Sequence, residues 1–235
     1  MLKYLTTHFN FVVYFFEVLA ILTAIFTFKK FKNTKTKLFI YYLFYVGFVE
    51  LGAAAITYFK SNILIEFLLK TGIKVIGWFN IFWLIGSVIF ISIYYLNILQ
   101  VRLFKLILTW LSISFTITSI SYLLFNLSDL NTAHPYLYIF FGAVVIFTSC
   151  VLYFLELLQL DNLIKLTDHF PFYASIALFL WWLVTSPLFF YEIYNNESDW
   201  DFVNLKRRVF LFANIFMYTC FAIGLILSKP QPKNG

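Results

Sequence analysis

Two glutamates, Glu17 and Glu50, stand in the middle of long uncharged runs and ask most directly for a chemical explanation. An ionisable side chain in hydrocarbon costs about 2.5–3.5 kcal/mol even on lenient insertion scales, so such a group is expected to have a partner and a task. At roughly 100° per helical residue, Glu17 shares its stripe with Asn10, Ala20, Ala24 and Thr27, and Glu50 shares its stripe with Gly47, Ala53, Ala54 and Thr57. Small residues of this kind mark faces where membrane helices approach closely. The two carboxyl groups are therefore expected to face each other or a common polar centre at one depth, where desolvation and mutual repulsion favour the neutral form of at least one. Three readings fit: neutral glutamates bonded to Tyr, Ser or Asn as packing glue, a proton or cation pathway, and a ligand pocket.

Weaker polar signals surround this pair. Asn80, Thr185, Glu192, Asn214 and Tyr218 could line an outward-facing cavity, or each could be a satisfied contact inside a bundle. Pro187 removes a backbone bond and should kink its helix, which makes it a candidate hinge. Glu192 lies near one end of that helix, as Arg207 and Arg208 lie near an end of the next, and a charge-paired cap is the plain alternative to a cavity. Thr109, Ser112, Thr116 and Ser119 form one hydroxyl stripe, and Ser114, Thr118 and Ser121 form another on nearly the opposite side. Such hydroxyls usually bond back to carbonyls one turn earlier, so packing is expected rather than a polar lining.

Several chemistries are disfavoured. His8, His134 and His169 all fall at the ends of apolar runs, and no HExxH places two ligands on one helix face, so neither metal nor haem is expected and no cofactor is implied. The last apolar run has no interior lysine for a retinal Schiff base, and no run holds paired aspartates or a serine with a base for proteolysis within the bilayer. Cys150 and Cys220 read as buried apolar residues. No catalytic residue is assigned.

The elements that must position these side chains follow from composition. Of 235 residues, 62% are apolar and 12% charged, against about 45–50% and about 25% in a soluble domain. Runs long enough to cross a bilayer fall at about 9–28, 38–59, 76–98, 103–125, 135–158, 172–194 and 209–227. The expected fold is all-α: a single polytopic transmembrane domain over 1–235, built as a bundle of seven helices, with too little chain left for a second globular domain. The first run is too long and too lysine-flanked for a cleaved signal peptide, so it is expected to be retained. With the N-terminus outside, ten Lys and Arg fall on the inner side and seven on the outer, favouring an outside N-terminus and a cytoplasmic C-terminus.

Most of that bias comes from Lys29, Lys30, Lys32, Lys35 and Lys37, an obvious contact for anionic lipid or for a protein partner. Glu66, Lys70 and Lys74 recur at helical spacing, as an interfacial helix or an apolar loop would have them. Asp161, Lys165 and Asp168 suggest that the fifth helix projects past the membrane until Pro171 stops it, with that face solvated. No basic patch with base-stacking aromatics points to nucleic acid. No internal duplication supports a transporter repeat, because Glu17 and Glu50 have no counterparts in the second half. The 32 Phe and 16 Tyr are spread through every run and do not gather into a ligand cage.

The run Tyr14-Phe15-Phe16-Glu17, the loop Lys29-Lys30-Phe31-Lys32, the segment from Tyr41-Tyr42 to Glu50 and the closing Ser228-Lys229 resemble uncharacterised small seven-span inner-membrane proteins of Bacteroidetes-type bacteria. The resemblance implies a bacterial inner-membrane location and a place in signalling, and it carries no activity over. The expectation is a non-enzymatic receptor-like or accessory membrane protein with a buried polar centre, acting through a membrane or cytoplasmic partner. A small proton- or cation-coupled transporter and a structural subunit of a membrane complex are the alternatives.

Overall fold

The computed structural model describes residues 9–58, 73–130, 135–159, 166–191 and 200–230. Seven of its helices are long and apolar enough to cross a membrane, which makes the chain an all-α, multi-pass membrane protein. We label them α1 (Phe9–Phe31), α2 (Thr36–Tyr58), α3 (Val75–Ile98), α4 (Arg102–Phe125), α5 (Tyr136–Leu158), α6 (Phe170–Tyr191) and α7 (Trp200–Leu227). Their apolar side chains point outward as well as inward: Phe26 is 82% exposed and Leu124 71%. Such faces are stable only against lipid or another apolar surface.

α7 begins nine residues before the expected start at 209, because its first turns carry Asp201, Lys206, Arg207 and Arg208 and continue the helix beyond the apolar run. Pro171 falls in the first turn of α6, where a missing N–H costs nothing, and does not end the preceding helix. A single 3-10 turn, Leu166–Asp168, precedes it. Asp168 is held there on both its groups: the Lys229 amine donates to its carboxylate at 2.8 Å, and the Lys229 N–H donates to its carbonyl at 2.9 Å.

The chain groups into two compact units, one of Met1–Ile40 with Cys150–Gly235 and one of Tyr41–Ser149. In the first, α1 and α6 both pack along α7. Its core has Phe39 edge-on to Phe170 and Phe221, with ring centres 4.9 and 4.8 Å apart. Gly224 lets α7 approach Tyr173 and Phe170 of α6, since a Cβ there would meet the Tyr173 side chain at 2.7 Å. In the second unit, Val49, Ala53 and Ile56 of α2 enclose Trp78 of α3, with Tyr45 and Phe82 packed against them.

Candidate functional site

Glu17 lies on the buried stripe of α1, together with Ala20, Ala24 and Phe31, and is only 3% exposed. The spacing of these residues, near 3.5, is that of a seam between two helices. Methyl side chains at Ala20 and Ala24 bring backbones close beneath the carboxyl, so the local sequence creates the burial that a charge would resist. Asn10, on the expected stripe, is exposed, and the Thr27 hydroxyl donates to the Thr23 carbonyl at 2.7 Å.

The register of α1 against α7 is set at one end by Lys30. Its amine donates to the carbonyls of Leu225 and Ile226, at 3.2 and 2.9 Å, and so caps the last turn of α7 with a positive charge. The two helices thus run in parallel. Counting back from Lys30 at 1.5 Å per residue puts Glu17 about 20 Å deeper, within about one turn of Asn214 on α7 in depth. Asn214 is itself fixed: its amide donates to the Phe210 carbonyl at 2.8 Å and its oxygen accepts from the Trp181 indole at 3.0 Å.

On α6, the Thr185 and Ser186 hydroxyls donate to the carbonyls of Trp181 and Trp182. They sit immediately before Pro187, and the helix continues through this proline to Tyr191. Both hydroxyls make back-bonds to carbonyls one turn earlier, and the carbonyl that Pro187 deprives of an N–H is a different one, that of Leu183. Tyr218 is buried on α7, with its ring edge-on to Phe221. Lys206 lies over the Phe189 and Phe210 rings, at 5.9 and 5.8 Å.

The second unit holds Glu50 and the feature that the sequence did not reveal. Within α3, Phe79–Gly86 is a π-helix, set between α-helical Val75–Trp78 and Ser87–Ile98. Wide turns of this kind are rare, and they concentrate at functional positions because they take carbonyls out of the ordinary ladder. Here the Tyr45 hydroxyl of α2 donates to the Phe82 carbonyl inside the π-segment. The Trp78 indole donates back to the Val49 carbonyl of α2 at 2.8 Å, next to Glu50.

Two glycines make this exchange of donors sterically feasible. A Cβ at Gly86 would collide with the Tyr45 hydroxyl, and one at Gly52 with the Trp78 ring. Asn80, 1% exposed, lies inside the same π-segment. Glu50 is half-buried on the α2 face bearing Ala53 and Thr57, whose hydroxyl donates to the Ala53 carbonyl at 2.8 Å. Glu17 belongs to the first unit and Glu50 to the second, and each is placed within its own.

Lys29 and Lys32 are exposed, while Lys35 and Lys37 are partly covered. On α4, Thr109, Thr116 and Thr118 bond back to the carbonyls of Lys105, Ser112 and Ser114, and Ser119 is buried. Cys150 is a buried thiol and Cys220 a half-buried one, and neither is in a disulfide. Among the described residues no three His, Cys, Asp or Glu side chains gather as a metal would require. Glu192, Glu66, Lys70, Asp161, Lys165, His8 and His134 lie outside the described residues.

What the two regions can do chemically is hold hydrogen bonds between helices, from Lys30, Tyr45 and Trp78 to carbonyls and from Trp181 to an amide oxygen. The signal that could have found the second region is the placement of Gly52 and Gly86 about one turn from Trp78 and Tyr45 in depth on adjacent spans, which needs the pairing of α2 with α3 to be read. Comparison with protein-family models, with curated proteins and with solved structures finds no match to this chain.

Proposed function

We propose that this chain is a non-enzymatic, receptor-like or accessory protein of a bacterial inner membrane, with its N-terminus outside and its C-terminus in the cytoplasm. It acts through a partner in the membrane or at its inner loops. The observation that carries this reading is the π-segment of α3, braced by the Tyr45 hydroxyl on its Phe82 carbonyl. A π-segment that relaxes toward α-helix turns the rest of its helix about its axis without breaking the span, which is how a membrane helix can pass on a binding event. The lysines at 29, 32, 35 and 37 supply an inner surface suited to an acidic partner.

Burial of Glu17 in a spanning helix favours a second reading, a small proton- or cation-coupled transporter. One experiment separates the two. The purified chain is placed in proteoliposomes containing a pH-sensitive dye, and proton entry is followed under an imposed gradient. A receptor-like protein gives the leak of empty vesicles, and the double Glu17→Gln, Glu50→Gln variant inserts and behaves identically. Flux above the leak that disappears in the double variant establishes the transporter. Copurification in mild detergent then tests the receptor-like reading directly, with a defined partner expected to be retained by the wild type and lost when Lys29, Lys32, Lys35 and Lys37 are replaced by Glu.

A further inference from the structure

Between α6 and α7 runs an open groove of about 410 Å³, within the size range of ligand clefts. Leu180 and Val184 form its wall on α6, and Phe212 and Phe216 its wall on α7; all four are exposed, as side chains facing lipid would be. Among the described residues, the only charged side chain lining it is Arg208. Ala213, the smallest lining residue, leaves the space between the walls open.

Depth decides what can occupy this groove. The far end of α7 is marked as a membrane boundary by Lys30 on its last carbonyls and by the Lys229–Asp168 pair. Arg208 lies 18 residues before Ile226, about 27 Å along the axis at 1.5 Å per residue, close to the thickness of a bilayer core of about 30 Å. Its guanidinium therefore stands at the opposite hydrocarbon boundary, and its side chain leans toward the N-terminus of α7, out to the headgroups. The apolar walls descend from there toward the middle of the bilayer. A single molecule with an anionic head and a long acyl tail matches both parts.

We propose that this groove is a binding site for one anionic phospholipid of the leaflet at the α7 N-terminus, its phosphate on Arg208 and one acyl chain between α6 and α7. Bulk lipid tails are as apolar as the groove, so the groove does not discriminate between headgroups; it seats one tail beneath Arg208 and holds that lipid through transfer into detergent. Selectivity comes from the guanidinium, whose planar fork fits phosphate oxygens. Neighbouring Arg207 is exposed and does not line the groove, and Lys206 is turned onto the Phe189 and Phe210 rings. Among the described residues, Arg208 is thus the cation that combines charge with access to the apolar walls. This inference rests on the multi-pass fold alone and is independent of the receptor-like reading.

The test uses the full chain in nanodiscs made from equal amounts of phosphatidylglycerol and phosphatidylcholine with matched tails, followed by measurement of the lipid that stays bound on release into detergent. The wild type should enrich phosphatidylglycerol about fivefold, the factor expected for one basic residue at the surface. Arg208→Gln should abolish the enrichment, whereas Arg207→Gln should preserve it. Ala213→Trp fills the groove and should abolish the enrichment with Arg208 still present. Val184→Trp on the opposite wall replaces that variant if it does not fold. No enrichment in the wild type, or enrichment that survives Arg208→Gln, overturns the proposal. Enrichment that is lost with Arg208 but survives the groove-filling variants also overturns it, because the headgroup would then bind without the groove.

Discussion

The seam of α1 on α7 and the seam of α2 on α3 bring helices together in opposite ways. Along α1 the close approach is made by removing bulk: Ala20 and Ala24 are fully buried, and the register is set at the end by Lys30. Between α2 and α3 it is made by inserting bulk, with the Trp78 ring lying where a Gly52 Cβ would be and the Tyr45 hydroxyl where a Gly86 Cβ would be. The first arrangement depends on backbone proximity, which tolerates few alternatives. The second depends on aromatic side chains that donate to carbonyls of the neighbouring helix, and it leaves α3 in an irregular turn. Rigidity and adaptability are thus placed in different units of one chain.

Thermal unfolding in detergent can break this comparison. The largest effect is expected from Trp78→Ala, which removes both the buried ring and the indole bond to Val49 and should cost about 3–5 kcal/mol. Survival of that variant at the wild-type midpoint would mean that the α2–α3 seam does not depend on inserted bulk. Gly86→Ala should cost about 1–3 kcal/mol by overpacking against Tyr45, and pairing it with Tyr45→Phe, which removes the hydroxyl in the way, should recover part of the loss. Non-recovery would place the strain elsewhere.

Smaller effects sharpen the other side. Asn214→Leu should cost about 0.6–1.7 kcal/mol, from the average to the largest of the bonds measured between membrane helices, since it takes away the acceptor of the Trp181 indole. Smallest is Lys30→Met, expected to cost about 0.3–1 kcal/mol through loss of the cap on α7. Lys29→Met is its control, because Lys29 is exposed and should leave the midpoint unchanged. Equal effects at both lysines would remove Lys30 from its role in setting the seam.

The spans were legible because crossing a bilayer requires about 20 apolar residues whatever they pack against, and the runs at 76–98 and 103–125 agree with α3 and α4 to within a residue. The start of α7 was not, since Lys206-Arg207-Arg208 ends the hydrophobic signal while the backbone remains helical back to Trp200. Asp168 looked solvated because its partner, Lys229, is 61 residues away in sequence. Glu17 stood out as an isolated charge among apolar neighbours, and its stripe with Ala20 and Ala24 could be counted directly. The π-segment could not, because a span that is apolar all round has no periodicity to shift. Nor does an indole announce that it will donate to the Val49 carbonyl, a choice made only when two helices meet.

The dependence of α7's last turn on Lys30 also orders the making of the protein. Tyr41–Ser149 is one continuous stretch and can assemble as soon as it emerges from the ribosome. The other unit joins the first 40 residues to the stretch from Cys150 onward, so α1 enters the bilayer long before the helix it caps has been synthesised. Until α7 has been made, Glu17 lies in the membrane without the surface of that helix beside it. The nascent chain must keep α1 from straying for the time needed to make every intervening span, and a truncation that removes α7 deprives the first helix of its place as surely as the last.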